Sequence, residues 1–180
     1  MGGRAGGGGA GMGSGSKGGA LARSLSAREG SIRGNDFETL FALDENGNEI
    51  FKKIGNRNSV SYGMDGWKTK DAILTHNHPG GSSFSWQDVQ GMVYYNQKEM
   101  RATGKEFTFS LKRPEKGWGV SYKTATTAFK RANSNARRAY QKQKTGNEAS
   151  DRKLWISLTH KYNAIAAQRF GWDYSVKKNK

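Results

Sequence analysis

Residues 76–88 read His76-Asn77-His78-Pro79-Gly80-Gly81-Ser82-Ser83-Phe84-Ser85-Trp86-Gln87-Asp88, directly after the apolar run Ala72-Ile73-Leu74. Side chains alternate along a β-strand, so residues i and i+2 share a face. A strand that runs through His78 therefore aims both imidazoles the same way. Pro79 stiffens the strand exit, and Gly80-Gly81 permit a tight turn back. Strand, Gly-rich turn and helix-like stretch succeed one another here, and the α+β reading of the chain starts from them. Asp88 lies ten residues past His78, a distance that lets its carboxylate fold back as a third ligand. Two histidines, one carboxylate and a water form a common catalytic zinc shell.

Ser85-x-x-Asp88 also reads as a helix capping pair, serine at the N-cap and acid at N3. The two readings are compatible, since a capped helix start can hold Asp88 rigidly at a metal. Neither His-x-His nor a lone upstream glutamate says much alone, because ordinary strands carry both. Their conjunction in order, Glu38, His76, His78, Pro79, Ser85 and Asp88, says more.

That conjunction resembles the signature of the JAB/MPN (JAMM) zinc metalloprotease superfamily. The wording His-Asn-His-Pro-Gly-Gly is closest to its RadC-like branch and to JAB-like domains of phage-derived and polymorphic-toxin proteins. The glutamate that the pattern places at the start of an upstream strand is supplied by Phe37-Glu38-Thr39-Leu40-Phe41-Ala42-Leu43, and the match covers about residues 31–113. Pro79 and Ser85 are separated by five residues where the usual pattern has six, so the loop is one residue short. The resemblance implies an α+β, three-layer α/β/α fold, a mixed sheet with flanking helices and a metal at the end of the His76–His78 strand. It implies Zn2+ on His76, His78 and Asp88, Glu38 as general base and then acid, and Ser85 as donor to the developing oxyanion. The reaction implied is hydrolysis of an amide or isopeptide bond in a protein or peptide substrate, through a zinc-bound water. A second reading keeps the fold and drops most of the activity. It is a catalytically weak or inactive module of a nucleic-acid- or virion-associated protein, RadC-like or phage structural, whose basic tail binds nucleic acid.

Composition supports an intracellular protein, cytoplasmic and bacterial or phage-encoded on this reading. The 180 residues hold no cysteine, which excludes disulfides and thiolate metal sites. No stretch approaches the roughly 20 apolar residues of a membrane span, and the N-terminus lacks the apolar core of a secretory signal. The net charge of +15 is unevenly placed: residues 101–180 carry 19 lysines and arginines against 5 acids, and residues 1–100 carry 11 against 10. Lys123–Lys144 holds seven positive charges and no acid, a segment drawn to phosphate backbones or acidic proteins.

Three regions are expected. Residues 1–30 form a Gly-rich tail, with 11 glycines in the first 20 positions, too poor in apolar side chains to offset its backbone entropy. Gly13-Ser14-Gly15-Ser16-Lys17-Gly18 spells a dinucleotide-binding string, yet it follows no strand and carries no weight. Residues 31–118 form the zinc domain. Within it Phe37–Leu43 and Glu49–Ile54 flank an Asn46-Gly47 hairpin turn, Trp86–Arg101 has helical composition, and Lys105–Lys112 alternates as a half-exposed strand. Residues 119–180 form a basic helical extension: one helix over Lys123–Lys144 and a second over Ala149–Phe170. The second has an apolar face at Leu154, Leu158 and Ile165, and Lys177–Lys180 is a basic tail.

Overall fold

In the computed structural model, which describes residues 15–180, the hairpin expected at Asn46-Gly47 joins β1 (Thr39–Leu43) to β2 (Glu49–Ile54). The Asp44 carboxylate accepts from the backbone N–H of Asn46 and of Asn48, and Gly47 takes φ +86°, a left-handed value that glycine adopts without strain. A 3₁₀ turn over Gly63–Thr69 then leads into β3 (Ile73–Asn77). The helix expected over Trp86–Arg101 stops early. It becomes α2 (Trp86–Tyr94), followed by β4 (Glu99–Thr103). Asn96 takes φ +53°, and Gln97 N–H reaches back to the Met92 carbonyl, so the helix is closed off by a left-handed Asn. Met100 therefore packs from a strand.

Six strands form one mixed sheet in the order β2-β1-β3-β4-β5-β6, with β5 at Phe107–Lys112 and β6 at Asp173–Lys178. Only β3 and β4 run parallel; α2 is their crossover. The chain is α+β, in three layers. One face of the sheet presents Phe41, Leu43 and Ile73 to Leu25 and Ile32 of α1 (Gly15–Ile32). The other presents Leu40, Leu74, Met100, Phe109 and Leu111 to α2, to α3 (Tyr122–Gln143) and to α4 (Glu148–Arg169).

The expected boundaries move for physical reasons. Residues 1–14 of the expected tail, with the start of the dinucleotide-like string, lie outside the described residues. From Gly15 the chain is helical, and α1 earns its place by covering a sheet face. There Ser24 donates to the Gly47 carbonyl at 2.6 Å, and a Cβ at Gly47 would sit 2.9 Å from that of Ser24. β5 is buried on both faces for the same reason: Thr108 and Ser110 lie beneath α1, where half-exposure was expected.

Residues 119–180 share the core with the rest of the chain. Phe129 of α3 is fully buried and stacks on Trp172, and the expected basic tail, Lys177–Lys180, begins inside β6, which pairs with β5 along its whole length. Burying a side chain of that size contributes roughly 2–3 kcal/mol. On α4 Leu158 of the expected apolar face is buried while Ile165 stays exposed, and the buried side also runs through Ile156, Thr159, Asn163, Ala166 and Ala167. Thr159 and Asn163 are polar residues among these apolar ones, and both have work at the loop described below. Among the described residues no helix is long and apolar enough to cross a membrane.

Candidate metal centre

β3 carries Leu74 and His76 on the face that α2 covers, His78 follows directly after it with its N–H still donating to the Thr103 carbonyl of β4, and both imidazoles are buried. Their Nε2 atoms lie 2.9 Å apart. The loop after β3 turns at Gly81, whose N–H returns to the His78 carbonyl at 2.8 Å and whose φ is +77°. It turns so tightly that a Cβ on neighbouring Gly104 would lie 2.8 Å from the Gly81 Cα. The short loop thereby delivers Ser85 as the N-cap of α2 and Asp88 as its N3 residue. Asp88 Oδ1 stands 3.4 Å from His76 Nε2, and Oδ2 stands 3.5 Å from His78 Nε2.

These three donor atoms lie within 4.8 Å of one another and could hold a metal ion. The chemistry of the set fits. Donors bonded tetrahedrally to zinc at roughly 2.0–2.1 Å sit about 3.3 Å from each other; here the two imidazoles stand 2.9 Å apart, and each meets its own oxygen of the Asp88 carboxylate at 3.4 and 3.5 Å. His78 Nδ1 lies 2.9 Å from the Ser82 carbonyl. A carbonyl only accepts, so Nδ1 carries a hydrogen, and Nε2, which faces Asp88, is the nitrogen left to a metal once its own proton is displaced. His76 Nδ1 is buried with no partner in the chain.

Asp88 is held as firmly. Ser85 donates to its Oδ2 from both backbone N–H (2.7 Å) and hydroxyl (2.8 Å), and the Asp88 N–H donates back to the Ser85 Oγ at 3.2 Å. The helix N-terminus adds its own preference for negative charge. The expected capping box is thus present, and Ser85 is placed where it orients the expected ligand.

Glu38 precedes β1. Leu40 pairs with His76 across the β1–β3 ladder, so one antiparallel step further sets Glu38 opposite His78, on the same face. Its side chain is buried, and Glu38, His78, Ser85 and Asp88 line a single cavity of about 460 Å³. Asn77, between the histidines and pointing the other way, fixes that strand start. Its Oδ1 accepts from Thr39 N–H at 2.7 Å and its Nδ2 donates to the Phe37 carbonyl at 2.9 Å, bracketing Glu38 on both sides.

The electrostatics of this cluster are mutual. Burial raises the Glu38 carboxyl above its ordinary value, opposed by the charges of His78 and His76. Burial would lower His78, but the hydrogen bond and charge of Asp88, with Glu38 behind it, outweigh that and push the imidazole up to about 9. Burial would raise Asp88 too, yet the two imidazoles hold it well below the usual carboxylate range. The proton that His78 keeps is one that an arriving metal ion must displace.

All five residues singled out in the sequence come together. The residues that sequence reading missed are those that grip the loop from behind. Asn133 of α3 accepts from Trp86 N–H at 2.8 Å, Thr159 of α4 accepts from Ser83 N–H at 3.2 Å, and Asn163 donates to the Phe84 carbonyl at 2.7 Å. Polar residues at buried helix positions were the available signal. His160 is elsewhere, bonded to the Tyr174 hydroxyl at 3.0 Å and stacked on its ring. Comparison with protein-family models, with curated proteins and with solved structures found no match to this chain.

Proposed function

We propose that this chain is a zinc metallopeptidase of the JAB (JAMM) type that hydrolyses an amide or isopeptide bond. The observation that carries the reading is the convergence of His76, His78 and Asp88 on one point with a second, buried carboxyl, Glu38, in the same cavity. Zinc, when bound there, supplies a Lewis acid that makes water a competent nucleophile near neutral pH. The rest is the work of the chain. The Ser82 carbonyl fixes the His78 tautomer, and Ser85 fixes the direction of Asp88. Glu38, its carboxyl shifted upward by burial, takes the proton from the attacking water and returns it to the leaving amine. Ser85 lines the cavity, and its hydroxyl serves the developing oxyanion once it turns from Asp88 toward substrate, a contribution of roughly 3 kcal/mol in good geometry.

One observation favours the second reading, a nucleic-acid- or virion-associated module. α3 has no acid along its length, and its cations Lys123, Lys130, Arg131, Arg137, Arg138 and Lys142 are all exposed, on the side away from the buried Ala125, Phe129, Ala132 and Ala136, with Lys144 following at its C-cap. Phosphate contacts made by such a helix release counterions and weaken steeply with salt.

Elemental analysis separates the readings. The purified chain is expected to carry one zinc equivalent, His76→Ala and His78→Ala each to lose it, and the loaded chain to cleave members of a panel of linear and isopeptide-linked peptides. Full zinc in both variants overturns the metal assignment. Zinc without cleavage, together with salt-sensitive oligonucleotide binding that falls when Lys123, Arg131 and Lys142 are made neutral, leaves the module.

A further inference from the structure

The metal-site cavity opens onto a second and larger cleft of about 610 Å³, and Arg57, Arg137, Pro79 and Trp155 line both. The larger cleft adds Arg152, so three guanidinium groups from three parts of the chain (the loop after β2, α3 and α4) surround the approach to the metal centre. Among the described residues none of the three is paired with a carboxylate, although five other cations are. Asp151 lines the cleft beside them but is already spent. Its Oδ1 accepts from the Thr145 N–H and hydroxyl, and its Oδ2 from the Gly146 N–H.

Arg152 carries the argument furthest. Its Nε and Nη2 are buried from solvent and find no acceptor among the described residues. Buried donors of a charged group left unpaired are costly, and native structures rarely keep them without reason. Arg152 also stands close to the catalytic loop: a Cβ at Gly81 would be 3.6 Å from its Nη2. A guanidinium held half out of water beside an open cleft, with two more opposite, is matched by a planar oxyanion that can accept two parallel N–H bonds.

Resting on the peptidase reading above, we propose that Arg57, Arg137 and Arg152 form a carboxylate-recognising subsite beside the metal centre, so that the preferred peptide is acidic next to the bond to be cut. The rest of the lining favours a peptide over a nucleic acid. Glu148 stands unpaired in the same cleft with Tyr140 and Trp155, and it would repel a continuous phosphate backbone. A peptide carries its charges singly and offers side chains to the two rings.

The test is fluorescence anisotropy and cleavage on the zinc-loaded full chain. The probes are a short C-terminally amidated peptide with paired glutamates, its glutamine counterpart amidated and with a free C-terminus, and a single-stranded oligonucleotide. The glutamate peptide is expected to bind about 10-fold more tightly than the amidated glutamine peptide, the scale of one charge-assisted hydrogen bond. Arg152→Gln should remove that preference. Arg137→Gln, at an exposed position where folding is not in question, should reduce it. A free C-terminus that restores tight binding to the glutamine peptide identifies the terminal carboxylate as the group recognised. Equal binding of acid and amide forms, or an oligonucleotide that binds more tightly and is the probe lost in Arg152→Gln, overturns the subsite. Preference without any cleavage defeats the peptidase reading and leaves the subsite standing; cleavage without preference does the reverse.

Discussion

The two faces of the sheet at β3 and β4 each bury a cluster of charged side chains, and the clusters are built on opposite plans. Beneath α1, Arg101 is enclosed by carboxylates. It donates from Nε and Nη2 to Glu29 and from Nη1 to Glu99, at 2.5, 3.2 and 2.9 Å, and Thr75 and Ser110 donate to the remaining lone pairs of the same acids. Beneath α2, two imidazoles and a carboxylate face one another across 2.9–3.5 Å, each oriented from behind by Ser82 or Ser85 where it is oriented at all. In the first cluster Nε, Nη1 and Nη2 of Arg101 all donate to carboxylates, and Glu29 and Arg101 line a cleft of about 430 Å³ in which their charges are already paired. The second brings the ligating atoms of three residues to a common centre, and His78 and Asp88 line a cavity shared with Glu38. Saturation marks a buried charge as structural, whereas convergence of ligating atoms marks it as chemical.

If that distinction is right, the largest effect on folding belongs to the saturated face. Arg101→Met keeps the bulk and leaves Glu29 and Glu99 buried without a counter-charge, a change that costs about 3–5 kcal/mol. Denaturant or thermal melts should show that loss, with zinc stoichiometry unchanged at low temperature. A variant as stable as the parent would mean that the α1 face tolerates bare carboxylates, and the comparison would collapse.

The converse belongs to the other face. Glu38→Gln keeps size and hydrogen-bonding reach but removes the proton acceptor. Melting temperature and zinc content should stay near parental values while turnover of whatever peptide the screen identifies falls roughly 100-fold, the scale of a lost general base. Parental turnover would move the base elsewhere.

Why the sequence revealed the second cluster and concealed the first follows from how each is encoded. His76, His78, Ser85 and Asp88 lie within thirteen residues, so strand alternation and helix capping, both local rules, bring them together. Glu38 was legible only through the resemblance, because β1–β3 pairing is non-local. Glu29 sits 72 positions from Arg101, in a stretch read as tail, and nothing in its neighbourhood shows that α1 will land on β3. The same reason hid the clamp on the loop between β3 and α2. Asn133, Thr159 and Asn163 look like surface residues of amphipathic helices until the backbone groups they satisfy are in place. The α+β class was readable from the strand-turn-helix order, but the strand identities of 99–103 and 173–178 were not, since pairing partners rather than propensity decide them.

The two faces should also respond differently to pH. In the metal-free chain His78 is raised from 6.5 to about 9. A group raised on folding contributes its stability in full below the unfolded value and loses it as pH climbs through the folded one. Asp88, lowered on folding, contributes above the ordinary carboxylate range and fails only in stronger acid. Melting temperature of the metal-free chain should therefore fall by several degrees between pH 6.5 and 9. Zinc affinity should rise over the same interval, as the competing proton leaves. A flat metal-free profile would mean that His78 is not charged by its neighbours.

The smallest effect tests whether Ser85 only caps the helix or also takes part in the reaction. Ser85→Ala removes a hydroxyl that accepts from the Asp88 N–H and donates to the Asp88 carboxylate, while the backbone N–H of the same residue still holds Oδ2. The loss of an N-cap side chain costs about 1 kcal/mol, and a loosened ligand lowers metal affinity by roughly 10-fold. If Ser85 does no more than this, saturating zinc should return the variant to nearly parental turnover. If its hydroxyl also turns to the substrate oxyanion, kcat should stay down by about 100-fold or more even with zinc in excess, with KM little changed. The zinc titration of kcat decides between the roles, because restoring the metal repairs an orienting defect and cannot replace a missing donor.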